Sequence, residues 1–231
     1  MRRKLSRSGG LAGAVLLACS QTGAEDASAQ MAPSRAATEP APRAGAAADT
    51  SVAVARDQRH ARVGRRLTVR GRVQPPAAGR RVVVQARRAG RWRTLDRART
   101  RGRGGFTLRI RSQRPLSASL RVRAVGTAHA RRQTRAIGRL NVYRVASASW
   151  YGPGLFGNRT ACGQVLTAST VGVAHKQLPC GTRVTLSHRG RSTRVPVVDR
   201  GPYVGDREYD LTSAVAQRLG FQGHGPLLVT R

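Results

Sequence analysis

The chain has 231 residues and carries 43 Lys+Arg against 10 Asp+Glu, a formal charge of +33. That length holds one or two domains; 39% hydrophobic residues support packed cores, and 4% aromatics make those cores small and aliphatic. Every basic residue except Lys4 and Lys176 is arginine, spread along strands rather than interleaved with aromatics, which argues against a dedicated nucleic-acid module. The charge reads either as adhesion to anionic wall polymers or membrane headgroups or as the arginine bias of a GC-rich genome.

Residues 1–19 have the form of an export signal. Arg2, Arg3, Lys4 and Arg7 precede an apolar run from Leu11 to Ala18, too short to span a bilayer as a mature helix. Two processing readings stand. Leu16-Leu17-Ala18-Cys19 has the shape of a lipobox, which would make Cys19 a lipidated first residue. Ala27-Ser28-Ala29 offers an ordinary small-x-small cleavage site instead. Cysteine parity bears on the choice: Cys162 and Cys180 lie close in sequence and are expected to pair after export, leaving Cys19 as the odd one. Residues 20–50, rich in Ala, Pro, Ser and Gly, read as a disordered tether.

Residues 51–143 change pattern. Leu67–Val73, Arg81–Ala86, Trp92–Leu95, Phe106–Ile110 and Leu120–Val125 alternate apolar and polar residues, with Gly or Pro turns between them. Short alternating strands at this spacing predict an immunoglobulin-like β-sandwich that buries aliphatics on one face and shows arginine on the other. No catalytic set is visible there: His60 and His129 read as solvated loop histidines, and Asp96 as a turn or strand-end residue.

Residues 145–231 change again. The strands predicted are Arg183–Leu186, Thr193–Val198 and Leu227–Thr230, with a short helix at Ser213–Leu219 ended by Gly220. Pro196 marks an edge or a crossing point. A small barrel with one helix fits, so the whole chain is expected to be all-β. Trp150 reads as either barrel core or a sugar platform. His175, His188 and His224 lack ligand spacing with carboxylates or thiols, so no metal and no cofactor is expected.

Several motifs in this region occur in order: Ala148-Ser149-Trp150-Tyr151-Gly152, Asn158-Arg159-Thr160-Ala161-Cys162-Gly163, Ala174-His175-Lys176, Leu178-Pro179-Cys180-Gly181-Thr182-Arg183-Val184, Asp199-Arg200-Gly201-Pro202-Tyr203 and Asp210-Leu211-Thr212. Together they resemble the rare lipoprotein A family, septal ring lytic transglycosylases built on a six-stranded double-psi β-barrel. The resemblance implies a protein of the cell envelope that cuts peptidoglycan glycan strands between N-acetylmuramic acid and N-acetylglucosamine without water, leaving an anhydro-muramic end. The same barrel also occurs in expansins, which loosen glycans without cutting them.

The resemblance places Asp199 at the catalytic aspartate, acting first as acid and then as base. His175 falls on the family's motif histidine and is expected to support the chemistry. Tyr151, Arg200 and Asp210 are expected to meet substrate, although helix capping is the stronger reading of Asp210. The charge of Arg200 would oppose a protonated neighbour if its guanidinium turned inward. Gln164 stands where family members often carry glutamate; its amide can hydrogen-bond a sugar but cannot donate a catalytic proton. That departure keeps a non-cutting, glycan-binding protein as the alternative.

Overall fold

The computed structural model describes residues 46–231. The export signal, Cys19 and most of the expected tether lie outside those residues. Where the tether was expected to end, Ala48 bridges Ala130 and Thr50 is buried. The Arg80 guanidinium donates to the Thr50 hydroxyl at 2.9 Å. The last residues before the first strand are therefore docked.

The described residues are almost entirely β. Strands β1 (Ser51–Asp57), β3 (Arg66–Gln74) and β6 (Gly105–Arg111) form one antiparallel sheet in the order β1-β3-β6. A second sheet starts with β5 (Arg91–Arg99), β4 (Arg81–Arg88), β7 (Leu116–Ala124) and the 19-residue β8 (Gln133–Tyr151), with β2 (His60–Arg62) parallel to β8. Inward residues of both sheets share one core, including Val69, Leu108, Val84, Leu120 and Leu140. Each full burial of a Val or Leu side chain contributes about 1.5–3 kcal/mol. Gly71 is required where β1, β3 and β6 meet: a Cβ there would stand 2.3 Å from the Ala53 carbonyl oxygen and 2.5 Å from the Phe106 ring.

The five alternating segments all form strands, each longer than its apolar signal. Two readings are corrected. Asp96 lies inside β5, not at its end, and its carboxylate accepts the Arg109 amide of β6 at 2.6 Å, tying the two sheets together. His60 lies in β2 rather than a loop; its Nδ1 is 2.8 Å from the Tyr143 hydroxyl and the rings stack.

Strand β8 runs through the expected boundary at 143–145 without a break. Its first part pairs with β7. Its second part pairs with β13 (Gly225–Val229) and β12 (Tyr209–Thr212). The remaining strands are β9 (Val173–Ala174), β10 (Arg183–His188) and β11 (Arg191–Asp199). Their order is β12-β9-β11-β10-β13-β8, and β12 pairs again with β8. A second core, with Leu186, Val195, Val197, Leu211, Leu227 and Tyr209, lies among them. The helix α1 (Ser213–Leu219) covers it with Val215, Ala216 and Leu219 and stops at Gly220, whose φ is 61°.

Candidate functional site

β11 gains a second neighbour beyond Pro196, while Val197 still bonds the Gly181 amide and the Thr182 carbonyl just before β10. Up to Pro196 it pairs with β10; from Val197 to Asp199 it pairs with β9. Gly201, with φ at 118°, and Pro202 then end the strand. Asp199 is thereby held at the last rung of β11.

That rung is one of a row. Asp199 is in register with Ala174 of β9, Ala174 with Asp210 of β12, and Asp210 with Ser149 of β8. Two strand spacings put the Asp199 and Asp210 backbones about 10 Å apart. The small Ala174 between them leaves a cleft of about 320 Å³, lined by Asp199, Asp210, Tyr151, Ala174, Arg207 and Tyr203 among others. Tyr203, 76% exposed, forms an apolar rim with Val204 and Leu155.

The Asp199 carboxylate is anchored on one oxygen only. Oδ1 accepts the backbone N–H groups of Ala161 and Arg200, each at 2.8 Å, leaving Oδ2 for the cleft. Ala161 immediately precedes Cys162, which is joined to Cys180 by a disulfide with Cα atoms 5.7 Å apart. The expected cysteine pairing is thus present.

The Asp210 Oδ1 accepts the Ser149 hydroxyl at 2.7 Å, and Ser149 in turn accepts Arg207 at 2.9 Å. Burial raises the Asp210 pKa, against the opposing pull of Ser149 and Arg207. Asp210 does not cap α1: the cap position is Thr212. The Tyr151 hydroxyl is buried and faces the Asp199 carboxylate; that of Thr160 is buried without a hydrogen-bond partner, and both residues line the cleft. Burial first, then the charge of Asp199, pushes the Tyr151 pKa up, so it stays a phenol.

His175, expected to support the chemistry, and Gln164, expected to meet substrate, do not line the cleft, whereas Arg200 does. His175 follows Ala174 in β-type alternation and is not among the residues lining the cleft. Its side chain is 12% exposed. Nδ1 accepts the amides of Gln177 and Leu178, each at 3.0 Å, and the ring stands edge-on to Tyr209. Burial lowers its pKa, and with Nδ1 an acceptor the proton sits on Nε2. The Arg200 guanidinium turns away from the carboxylate of Asp199 and donates to the carbonyls of Leu178 and His175 at 3.0 and 3.3 Å. Gln164 is exposed and not among the residues lining the cleft. Trp150, 39% exposed, is not core and lines a separate depression with Phe221 and Gln217.

Sequence reasoning missed Ser149, Arg207 and Glu208 as site groups. Glu208 forms a two-pronged ion pair with Arg144 below His175. Ser149 was visible within a motif; Arg207 and Glu208 lie between motifs, and the sheet register alone brings them in.

Residues 143–230 match the lytic transglycolase family. The matched region is a double-psi β-barrel domain. Among individual proteins, the chain is 42% identical over 80 residues to a probable endolytic peptidoglycan transglycosylase RlpA of Synechocystis, covering 34% of this chain and 25% of that protein. It is 40% identical over 84 residues to an endolytic peptidoglycan transglycosylase RlpA of Neisseria meningitidis, covering 36% of this chain and 35% of that protein. A similar protein of Pseudomonas aeruginosa is 42% identical over 83 residues, covering 35% and 24%. The matched region thus spans a quarter to a third of the curated relatives' length.

Proposed function

We propose that this protein is a lytic transglycosylase of the cell wall, cutting peptidoglycan glycan strands in the Asp199 cleft. Residues 145–231 form a closed six-stranded barrel with one short helix, and residues 51–143 an immunoglobulin-like sandwich that carries it. The protein is exported to the envelope, anchored through a lipidated Cys19.

The observation that carries the reading is the row Asp199–Ala174–Asp210–Ser149, which sets an aspartate anchored by two backbone amides on Oδ1 at the wall of a cleft. In the proposed reaction a protonated Asp199 Oδ2 gives its proton to the glycosidic oxygen, and the C1–O bond breaks. The sugar's own primary hydroxyl then attacks C1 and returns its proton to Asp199, closing the anhydro ring without water. Asp210, Arg207, Tyr151 and Thr160 offer polar groups to the sugar hydroxyls, and Tyr203 offers a ring face. His175 acts as a positioning residue: its two amide bonds fix the loop whose Leu178 and His175 carbonyls hold Arg200. Arg200 supplies an amide, not its guanidinium, to Asp199.

Gln164 supports a second reading. Where the resemblance implies a glutamate, Gln164 presents an exposed amide, which suits a protein that binds or loosens glycan without cutting it. Incubating the full chain with intact and peptide-stripped peptidoglycan, followed by mass spectrometry for anhydro-muramic ends, separates the two. Anhydro ends that disappear with Asp199→Asn support the enzyme. Retained glycan binding without products supports the loosening protein.

A further inference from the structure

A second concavity lies where the two halves of the described chain meet. It holds about 610 Å³ and is lined by Arg87 and Arg88 from the β4 hairpin, Arg114 before β7, Arg183 and Arg194 from β10 and β11, and Arg231. No acidic side chain lines it. Ser117, which lines it, links the halves: the Thr185 hydroxyl donates to Ser117 at 3.3 Å, and Ser117 donates to Asn141 at 2.8 Å. Among the described residues, the guanidinium groups of Arg88, Arg114, Arg183, Arg194 and Arg231 make no hydrogen bond or ion pair, whereas those of Arg80, Arg144 and Arg200 donate to protein acceptors elsewhere.

Converging like charges without a counter-charge repel one another. The effect is visible at Arg194, whose pKa is lowered by burial and then by Arg139, Arg183 and Arg231. Such a cluster is stabilised by an anion that fits among the forks. Arginine's planar fork binds phosphate through two parallel hydrogen bonds, and a cavity this size takes several phosphates of one chain rather than a single ion. No aromatic side chain lines the groove, so it offers no platform on which nucleic-acid bases stack.

We propose that this arginine groove binds a linear phosphodiester polymer without bases, at a site separate from the Asp199 cleft. The proposal stands whether or not that cleft cuts glycan.

The test measures binding of the full chain to fluorescently labelled poly(glycerol phosphate) by anisotropy over a series of salt concentrations. Because the whole protein is basic, two triple variants of equal charge are compared. One removes the groove (Arg114→Gln, Arg183→Gln, Arg194→Gln). The other removes three exposed arginines of the outer sheet (Arg70→Gln, Arg72→Gln, Arg109→Gln). The groove triple is expected to lose roughly tenfold or more in affinity and about 3 in the log–log salt slope, one per phosphate contact; the outer triple should change affinity far less. Circular dichroism checks folding, and Arg194→Gln alone, expected to lose affinity in the same direction, serves if the groove triple does not fold. Equal losses in the two triples would overturn the proposal by showing diffuse attraction. So would tighter groove-dependent binding of oligothymidylate of equal length than of poly(glycerol phosphate).

Discussion

The two halves of the described chain use the same sheet physics to different ends. In residues 51–142 the strands are joined by short turns, and the inward residues are nearly all aliphatic. In residues 144–231 the strands are shorter, and two long connections, 152–172 and 200–208, carry polar groups back across the sheet. Acidic side chains follow the division: four of the ten, Asp199, Asp206, Glu208 and Asp210, fall within twelve residues of the second half. Regular alternation builds a framework, whereas a site arises where strands distant in sequence share a register row. Asp96 shows the contrast. It is also an aspartate accepting a backbone amide, but it lies in a sheet edge where no cleft opens.

The widest separation between the halves is expected from that pair of aspartates. Asp199→Asn should lower anhydro-end formation by about 10²–10⁴-fold, the usual worth of a general acid–base group, while circular dichroism stays unchanged. Asp96→Asn should leave the rate within about twofold, since an amide oxygen still accepts from Arg109. Comparable losses in both variants would mean that the framework, not the cleft, limits the reaction.

The next effect is on stability. Replacing Cys162 and Cys180 together by serine opens a loop with a sequence separation of 18 and should cost about 3 kcal/mol by loop entropy, read by urea unfolding. Activity should fall further than stability predicts, because the Ala161 amide that anchors Asp199 is directly bonded to Cys162, one end of the cross-link. If activity at low temperature is unchanged, the loop does not position Asp199.

These contrasts also explain what was legible in the sequence. The alternating runs marked β3, β4, β6 and β7 because their apolar residues are buried, and β5 because Leu95 and Ala98 pack against the same core, and Gly220 marked the end of α1. β8 did not stand out: from Gln133 to Ala136 every residue is exposed, so no periodic signal announces the strand, and the change of composition near Tyr143 gave no sign that one strand runs through it. In the site, Asp199, Tyr151 and Asp210 were found through motifs, whereas the pairing of Asp210 with Ser149, 61 residues away, depends on register and leaves no local trace. The placement of His175 outside the lining of the cleft left no local trace for a related reason. A motif names the residue but not the face of the strand on which it lies.

His175→Ala should cost about 1–2 kcal/mol, because two backbone amides lose their acceptor. Its folded-state pKa is lowered, so the unfolded chain takes up a proton first as pH falls. The contribution is therefore full above the unfolded value of about 6.5 and is lost as pH falls through the folded one. The alanine variant should lose that pH dependence. His175→Asn, which keeps an acceptor near the Nδ1 position, should recover both stability and rate if His175 only positions the loop. Recovery of stability without rate would make it a catalytic residue.

The smallest effect tests the second carboxylate of the row. Burial raises the Asp210 pKa in the folded state, so between the unfolded value of about 3.9 and the folded one, the native protein holds a proton that the unfolded chain has released. Stability then falls as pH rises through that window, and the penalty is constant above it. Asp210→Asn removes the charge while keeping an acceptor for Ser149, so it should be more stable than the wild type at pH 7 and lose that advantage near pH 3.5. The gain should stay below about 1 kcal/mol, since Asp210 is only half-buried and Ser149 and Arg207 offset part of its burial. A stabilised variant with weakened glycan binding would mark Asp210 as a group kept ionised for the ligand at a cost in stability, something no aliphatic position of the first half is asked to do. A destabilised variant at pH 7 would show instead that the Arg207–Ser149–Asp210 chain is part of the framework, and the division between the halves would narrow to Asp199 alone.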